Sequence, residues 1–296
     1  MRNSSLRRAA VAVVASAAAL VALSTPALAQ PVTTGTASFT GDPGDWVTFG
    51  GSYAYDTGAG DSLAVFGSAD NNYVRLGVDG RNGDWWTVEF AAPQGQRLTA
   101  GTYTDARRYP FQPAAAPGLD YSGNGRGCNQ LGGTFTIEAV SFGPNGYVER
   151  LDATFEQHCE FSADAARGEL HVLNPPPPAE LDLDLAVSTN GTASSLNGKA
   201  GISGTVDCSA PVRVTVSGRV TQVKNNTIIR GDYTAAVDCV PGAGTPWSAV
   251  ADPIGTVPFQ RGLVEVVTHG SATDPNYGNQ VEVDRTSVVR LERVRA

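Results

Sequence analysis

Apolar and polar residues alternate with a period of two over much of this chain. Val74, Leu76 and Val78 are interleaved with Tyr73, Arg75, Gly77 and Asp79, and after a Gly/Asn/Asp turn Trp86, Val88 and Phe90 are interleaved with Trp85, Thr87 and Glu89. Successive side chains of a strand point to opposite faces, so each apolar set marks a face turned to a core. The pattern predicts strands over residues 72–79, 84–91, 133–142, 147–159 and 167–173 in the first part of the chain. Further on it predicts strands over 181–188, 200–208, 212–222, 233–239, 259–268 and 279–294. Clusters of Gly, Pro, Asn and Asp separate these runs, and no segment after the N-terminal apolar stretch sustains a helical period. Short, evenly spaced strands of this kind suit sandwiches. The expected fold class is all-β, with two antiparallel β-sandwich-type domains joined by a proline-rich linker.

The division rests on Pro175 to Pro178, with a linker over 175–179 between domains at 30–174 and 180–296. Four prolines in a polyproline conformation span roughly 12 Å at about 3.1 Å per residue, which separates two domains without fixing their angle. One cysteine pair lies on each side, Cys128 with Cys159 and Cys208 with Cys239, both 31 residues apart. Two local bridges are the least costly of the three connectivities, because they close the shortest loops. Arg2, Arg7 and Arg8 precede an apolar run from Ala9 to Leu23, and Ala27-Leu28-Ala29 provides small residues for cleavage. Residues 1–29 therefore predict a signal peptide, and the apolar run is too short for a membrane anchor. The expected location is secreted, where the four thiols oxidise.

Charge and aromatic content set the two halves apart. Residues 30–174 carry 17 acids against 8 arginines, whereas 175–296 carry 12 acids against 10 Lys plus Arg. Neither half has the basic stripe that nucleic acid requires. Of the 23 Trp, Tyr and Phe, 19 lie in the first half, so recognition is expected there. In the hairpin of residues 72–91, Tyr73, Arg75, Trp85 and Glu89 face outward, and Gly77 opens room beside Trp85. A Trp and a Tyr beside charged hydrogen-bonding groups suit sugar rings, whose C–H faces stack on aromatics while hydroxyls bind polar side chains. The competing account is a second core layer, covered by the segment holding Tyr103, Tyr109 and Phe111.

Other chemistry is sparse. Leu151, Ala153, Phe155, Gln157 and Cys159 share one parity, which leaves Arg150, Asp152, Thr154, Glu156, His158 and Glu160 on the opposite face. A solvated sheet face explains this alternation most simply. An enzyme of glycoside-hydrolase type would need two carboxylates about 5 to 10 Å apart, and Glu156 with Glu160 or Glu138 is the pair to test. Only His158, His171 and His269 are present, with no His-Glu-x-x-His, no Gly-x-Ser-x-Gly and no P-loop closing the glycines at 123–127. No cofactor is expected. Calcium is a candidate ion at the acidic turns Asp42/Asp45 and Asp79/Asp84, although neither matches the twelve-residue calcium loop and turn formation accounts for both, and the carboxylates and His158 of the 150–160 face are the alternative place for a divalent metal.

Four motifs stand out in the first half: Gly41-Asp42-Pro43-Gly44-Asp45-Trp46, Arg108-Tyr109-Pro110-Phe111-Gln112, Gly125-Arg126-Gly127-Cys128-Asn129 and Phe155-Glu156-Gln157-His158-Cys159-Glu160. On these residues the segment from about 35 to 172 resembles an uncharacterised module of secreted bacterial proteins, which implies a compartment and no reaction. In the second half Ala200, Ile202, Gly204, Val206 and Cys208 share a parity, as do Val212, Val214 and Val216. That half resembles bacterial immunoglobulin-like modules in fold class only, and it departs from the antibody pattern because Trp247 follows the second cysteine. The expected function is secreted, non-catalytic binding of carbohydrate or a cell-envelope polymer through the first domain. The alternatives are hydrolysis by first-domain carboxylates and a purely structural role.

Overall fold

A computed structural model describes residues 29–242 and 244–294. The expected signal peptide lies outside these residues, apart from Ala29. The first sheet contains β1 (Gln30–Pro31), β2 (Thr34–Gly41), β3 (Ser52–Asp56), β4 (Ser62–Gly67), β5 (Tyr73–Asp79) and β6 (Trp85–Ala91). It continues with β7 (Gly101–Arg108), β8 (Gly118–Gly123), β9 (Leu131–Phe142), β10 (Val148–Cys159) and β11 (Ala166–Leu173). The strands join in the order β1-β4-β5-β6-β8-β7-β9-β10-β11-β2-β3, an open half-barrel.

Its trough is filled by the predicted inward residues. In β5 and β6, Val74, Leu76 and Val78 lie opposite Phe90, Val88 and Trp86, and all six are buried. From β10, Leu151, Ala153, Phe155, Gln157 and Cys159 are buried, as their parity requires. Gln157 is the polar member of that row. Its Oε1 accepts the backbone N–H of Tyr121 at 2.7 Å and its Nε2 donates to the Tyr121 carbonyl at 2.9 Å. This side chain supplies a missing rung, because β7 pairs with β8 only at Arg107–Gly118 and Arg108–Leu119 and leaves the rest of that edge unpaired by backbone.

The second sheet contains β12 (Leu183–Val187), β13 (Asn190–Ser194), β14 (Ala200–Cys208) and β15 (Val212–Lys224). After these come β16 (Thr227–Cys239), β17 (Thr245–Pro253), β18 (Gly262–Thr273) and β19 (Gln280–Val294). The order is β12-β14-β13-β19-β18-β15-β16-β17, and an added β14–β17 pairing closes it into a barrel. Where the sequence led us to expect two separate sheets, β13 ties β14 to β19 and β16 ties β15 to β17. Hydrogen bonding therefore continues around both seams. Ala200, Ile202, Val206, Val214 and Val216 fill the interior as their parity predicts, with Trp247 stacked on Tyr233.

Both bridges are as expected, Cys128–Cys159 and Cys208–Cys239. The proline run does not stand free of its surroundings. Tyr147 Oη donates to the Pro175 carbonyl at 3.0 Å, and Tyr277 Oη donates to that of Pro178 at 2.5 Å.

Candidate functional site

The outer face of β5, β6 and β8 gathers the predicted aromatic site. Arg75, Glu89 and Asp120 form one rung across the three strands, and Gly77, Thr87 and Ser122 form the next. Trp85 ends the row with about half its surface exposed, at 47%. Asn124 fixes its backbone, accepting the Trp85 N–H on Oδ1 at 2.9 Å and donating its own N–H to the Trp85 carbonyl at 3.0 Å. Beside the ring, a Cβ added to Gly77 would meet only the Ala64 carbonyl oxygen, at 3.8 Å, so the strip next to Trp85 is open. Arg75 is exposed and its Nη2 reaches Thr87 Oγ1 at 3.4 Å.

Tyr73 occupies the far end of this face and is covered. Its ring stacks on Tyr109 with centroids 4.5 Å apart, and its hydroxyl donates to Glu89. The expected cover from the Tyr109 segment thus exists at this end and does not extend to Trp85. Burial, reinforced by the Glu89 carboxylate, pushes the Tyr73 hydroxyl far above its ordinary ionisation range. Tyr73 positions Glu89 and presents no flat face to a ligand. Of the four predicted residues, Arg75, Trp85 and Glu89 share an accessible surface.

Asp120 belongs to this site and was not anticipated from sequence. Its residue is 8% exposed, it accepts from Ser122 Oγ at 3.0 Å, and Arg108 Nε lies 3.7 Å away. Burial raises its pKa against the pull of Ser122, and the facing Glu89 raises it further. Two carboxylates directly opposite on neighbouring strands have Cβ atoms about 5 Å apart.

The carboxylates expected on β10 behave differently. Glu156 accepts from Arg167 Nε at 2.7 Å and lies 3.1 Å from His158 Nε2, and these two partners hold its pKa below the usual range despite some burial. A general acid needs the opposite shift. Glu160 departs from the predicted face, because β10 ends at Cys159 and Glu160 Oε1 accepts the backbone N–H groups of Asn129 and Gln130 at 3.0 and 3.2 Å. Glu138 is four residues along β9 from Thr134, the partner of Glu156, which is about 13 Å of strand. Neither proposed pair is assembled. Glu156 instead lines a shallow groove of about 760 Å³ with Ser38, Thr40, Thr134, Thr136 and Arg167.

Three of the four acids in these turns bond protein donors, although Asp45 Oδ1 stays unpaired. Asp42 accepts from Ala165 N and from Arg167, and Asp45 Oδ2 accepts from both the N–H and the hydroxyl of Thr48. Asp84 takes Tyr55, Asn82 and Asn124. Among the described residues no three His, Cys, Asp or Glu side chains converge as a metal site.

Three of the four sequence motifs meet at one end of the half-barrel. The Cys128–Cys159 bridge joins two of them directly, and Asp42 of the third is bound to Arg167, which also holds Glu156. Trp46 and Phe49 stand exposed at that end in a T-shaped pair 5.3 Å apart, beside Arg126. Comparison with known proteins finds no family model that matches the chain and no curated protein that matches it.

Proposed function

We propose that this is an exported protein of two β-domains whose aromatic-rich first domain binds carbohydrate or another hydroxyl-rich cell-envelope polymer without chemical turnover. The observation that carries the reading is the exposed Trp85 ring beside the open strip at Gly77, with Arg75, Thr87 and Glu89 as hydrogen-bonding neighbours. A rigid flat ring flanked by donors and acceptors on an open face favours binding over hydrolysis, which needs a cleft. Each sheet has its own core and its own disulfide, which supports the two-domain division and an oxidising location. The second domain is read as an immunoglobulin-like spacer.

Trp85→Ala tests the assignment. Retention on an insoluble polysaccharide or cell-wall preparation is expected to be lost with little change in melting temperature, since the ring is half-exposed. Intact retention in that variant removes Trp85 as the platform.

One observation favours a hydrolytic second reading, namely the raised pKa of Asp120 opposite Glu89. Glu89 and Asp120 are direct neighbours across β6 and β8, and a retaining glycosidase needs its two carboxyl groups close together, about 5 to 5.5 Å apart. Polysaccharide cleavage that disappears in Asp120→Asn would establish it in place of simple binding.

A further inference from the structure

One end of the barrel gathers cations, in a chain whose net charge is -8. A recess of about 560 Å³ opens there, between the turn that follows β13, the loop joining β17 to β18, and the ends of β15 and β19. Lys224, Arg261 and Arg293 line it, and among the described residues no Asp or Glu does. Glu292 comes within 3.7 Å of Arg261 Nε, whereas Lys224 and Arg293 form no ion pair with a carboxylate among the described residues. Like charges gathered around one recess repel one another, and a bound anion relieves that repulsion.

The walls are in place before any guest arrives. Gln222 is 1% exposed and clamps the loop between β17 and β18, its Oε1 accepting the Gln260 N–H at 2.9 Å and its Nε2 donating to the Gln260 carbonyl at 2.7 Å. From the other side the Phe259 N–H donates to the Gly198 carbonyl at 3.0 Å. Gly198 has φ +70 and packs so closely that an added Cβ would lie 2.5 Å from Pro258 Cβ. Ser195 ties the same turn to Val294, through its N–H at 3.3 Å and its hydroxyl at 3.2 Å. Lys224 Nζ donates to the Arg261 carbonyl at 2.8 Å, which fixes the ammonium at the recess. A site braced in this way binds without the cost of ordering its walls.

Charge and size indicate the guest. A phosphate monoester carries about −1.5 to −2 charges at neutral pH and three acceptor oxygens, more than a carboxylate offers. The planar fork of an arginine meets two phosphate oxygens at once. Sites for small organic molecules measure about 300–1,000 Å³, so the recess has room for more than the phosphate itself. Ser195, Asn197 and Thr256 line the remainder with hydroxyl and amide groups. We propose that this recess is an anion site that takes the phosphate group of a phosphorylated sugar or polyol, with Lys224, Arg261 and Arg293 as its counter-charges. The barrel, read above as a spacer, thereby has a ligand of its own, and the assignment rests neither on Trp85 nor on the first domain.

The test titrates the full chain at low ionic strength with glucose-6-phosphate and glycerol-3-phosphate, beside inorganic phosphate, glucuronate and glucose, following the heat of binding and the melting temperature. Both phosphate esters are expected to bind saturably, more tightly than the other three compounds, and to weaken as sodium chloride is added. Arg293→Glu is expected to weaken them on the order of tenfold or more with no change in melting temperature, because Arg293 is exposed. Lys224→Gln is expected to weaken them on the order of tenfold, and if its freed loop lowers the melting temperature the exposed Arg293→Glu decides alone. The site is overturned if neither ester binds, if glucuronate or inorganic phosphate binds as tightly as the esters, or if Arg293→Glu binds them as the parent does. Retention of the parent on a neutral polysaccharide reads the first-domain site separately, so either assignment can fail without the other.

Discussion

The first sheet stays open around a core of rings, whereas the second closes around aliphatic side chains. Phe39, Trp86, Phe90, Tyr121, Phe135 and Phe155 pack together in the half-barrel, while the barrel interior is mainly Leu, Ile, Val and Ala with Tyr233, Trp247 and Phe259. The difference follows from width, because an open eleven-stranded trough needs bulky fillers and a tight barrel does not. It also has a chemical consequence. Rings such as Trp86, Tyr55 and Tyr121 bring polar atoms inside, and Trp86 Nε1 donates to Tyr55 Oη at 2.6 Å, which donates onward to Asp84 at 3.0 Å. The half-barrel thereby couples its core to its loops, and the barrel has little of this wiring. Candidate sites accumulate on the wired half.

Breaking each core in turn gives the largest effect. Trp86→Ala and Trp247→Ala each remove a nearly fully buried indole and are expected to cost about 3–5 kcal/mol. If the halves are separate cooperative units, calorimetry shows two transitions and each substitution lowers only one of them. A single transition lowered by either variant contradicts the division.

The bridges sharpen the comparison further. Both close loops of the same sequence separation, 31 residues, so a pure chain-entropy account predicts the same loss of about 3–4 kcal/mol for either Cys pair replaced by Ser. Denaturant melts of the two double variants check this. The Cys128–Cys159 variant is expected to lose more, because Gln157 Nε2 also contacts Cys128 Sγ at 3.2 Å and its rung to Tyr121 loosens with the bridge. Gln157→Leu isolates that rung. It strands the N–H and carbonyl of Tyr121 in the core, at an expected cost of about 2–3 kcal/mol in thermal melts. A neutral result means that β8 is held by its β6 neighbour alone.

Which parts were legible in the sequence follows the same contrast. Strands carrying large apolar residues at alternate positions were found, and Ala200–Cys208 agrees to the residue. The missed strand β2 reads Thr-Gly-Thr-Ala-Ser-Phe-Thr-Gly, and its inward row of Gly35, Ala37 and Phe39 alternates correctly but holds one large apolar residue, too weak a signal to read. Strand β8 was missed because it is buried on both faces and shows no alternation, and Asp120 was lost with it. In β7 a register shift between Tyr103 and Ala106, with Asp105 at φ +56, breaks the parity. Parity placed Tyr73 and Trp85 on one face but said nothing of what lies above it, which the path of the Tyr109 segment decides.

The smallest expected effect separates the surfaces of the two halves by pH. On the first half His171 is wedged between Asp152 at 2.9 Å from Nδ1 and Glu169 at 2.9 Å from Nε2, and these two carboxylates raise its pKa above the ordinary value. A group whose pKa is raised on folding stabilises the fold fully below its unfolded value, near 6.5 for histidine, and loses that contribution as pH rises through the folded value. Asp152 supplies the opposite limb. Burial pushes its pKa up, but His171 and Arg150 together bring it below the ordinary value, so its contribution fades as pH falls through that lowered value. The pair therefore favours an interval bounded by the carboxylate limb on the acid side and, on the alkaline side, by a histidine limb lying above the ordinary histidine value. His171 is 45% exposed on its side chain, so solvent screening keeps the alkaline limb to under about 1 kcal/mol. Melting of the first transition across neutral pH is expected to decline slightly in the parent and to lose that slope in His171→Gln. His269 of the second half also lies against a carboxylate, Asp284, at 2.9 Å, but it has one such partner instead of two. If His269→Gln flattened the same slope and His171→Gln did not, the pH-sensitive surface would belong to the barrel.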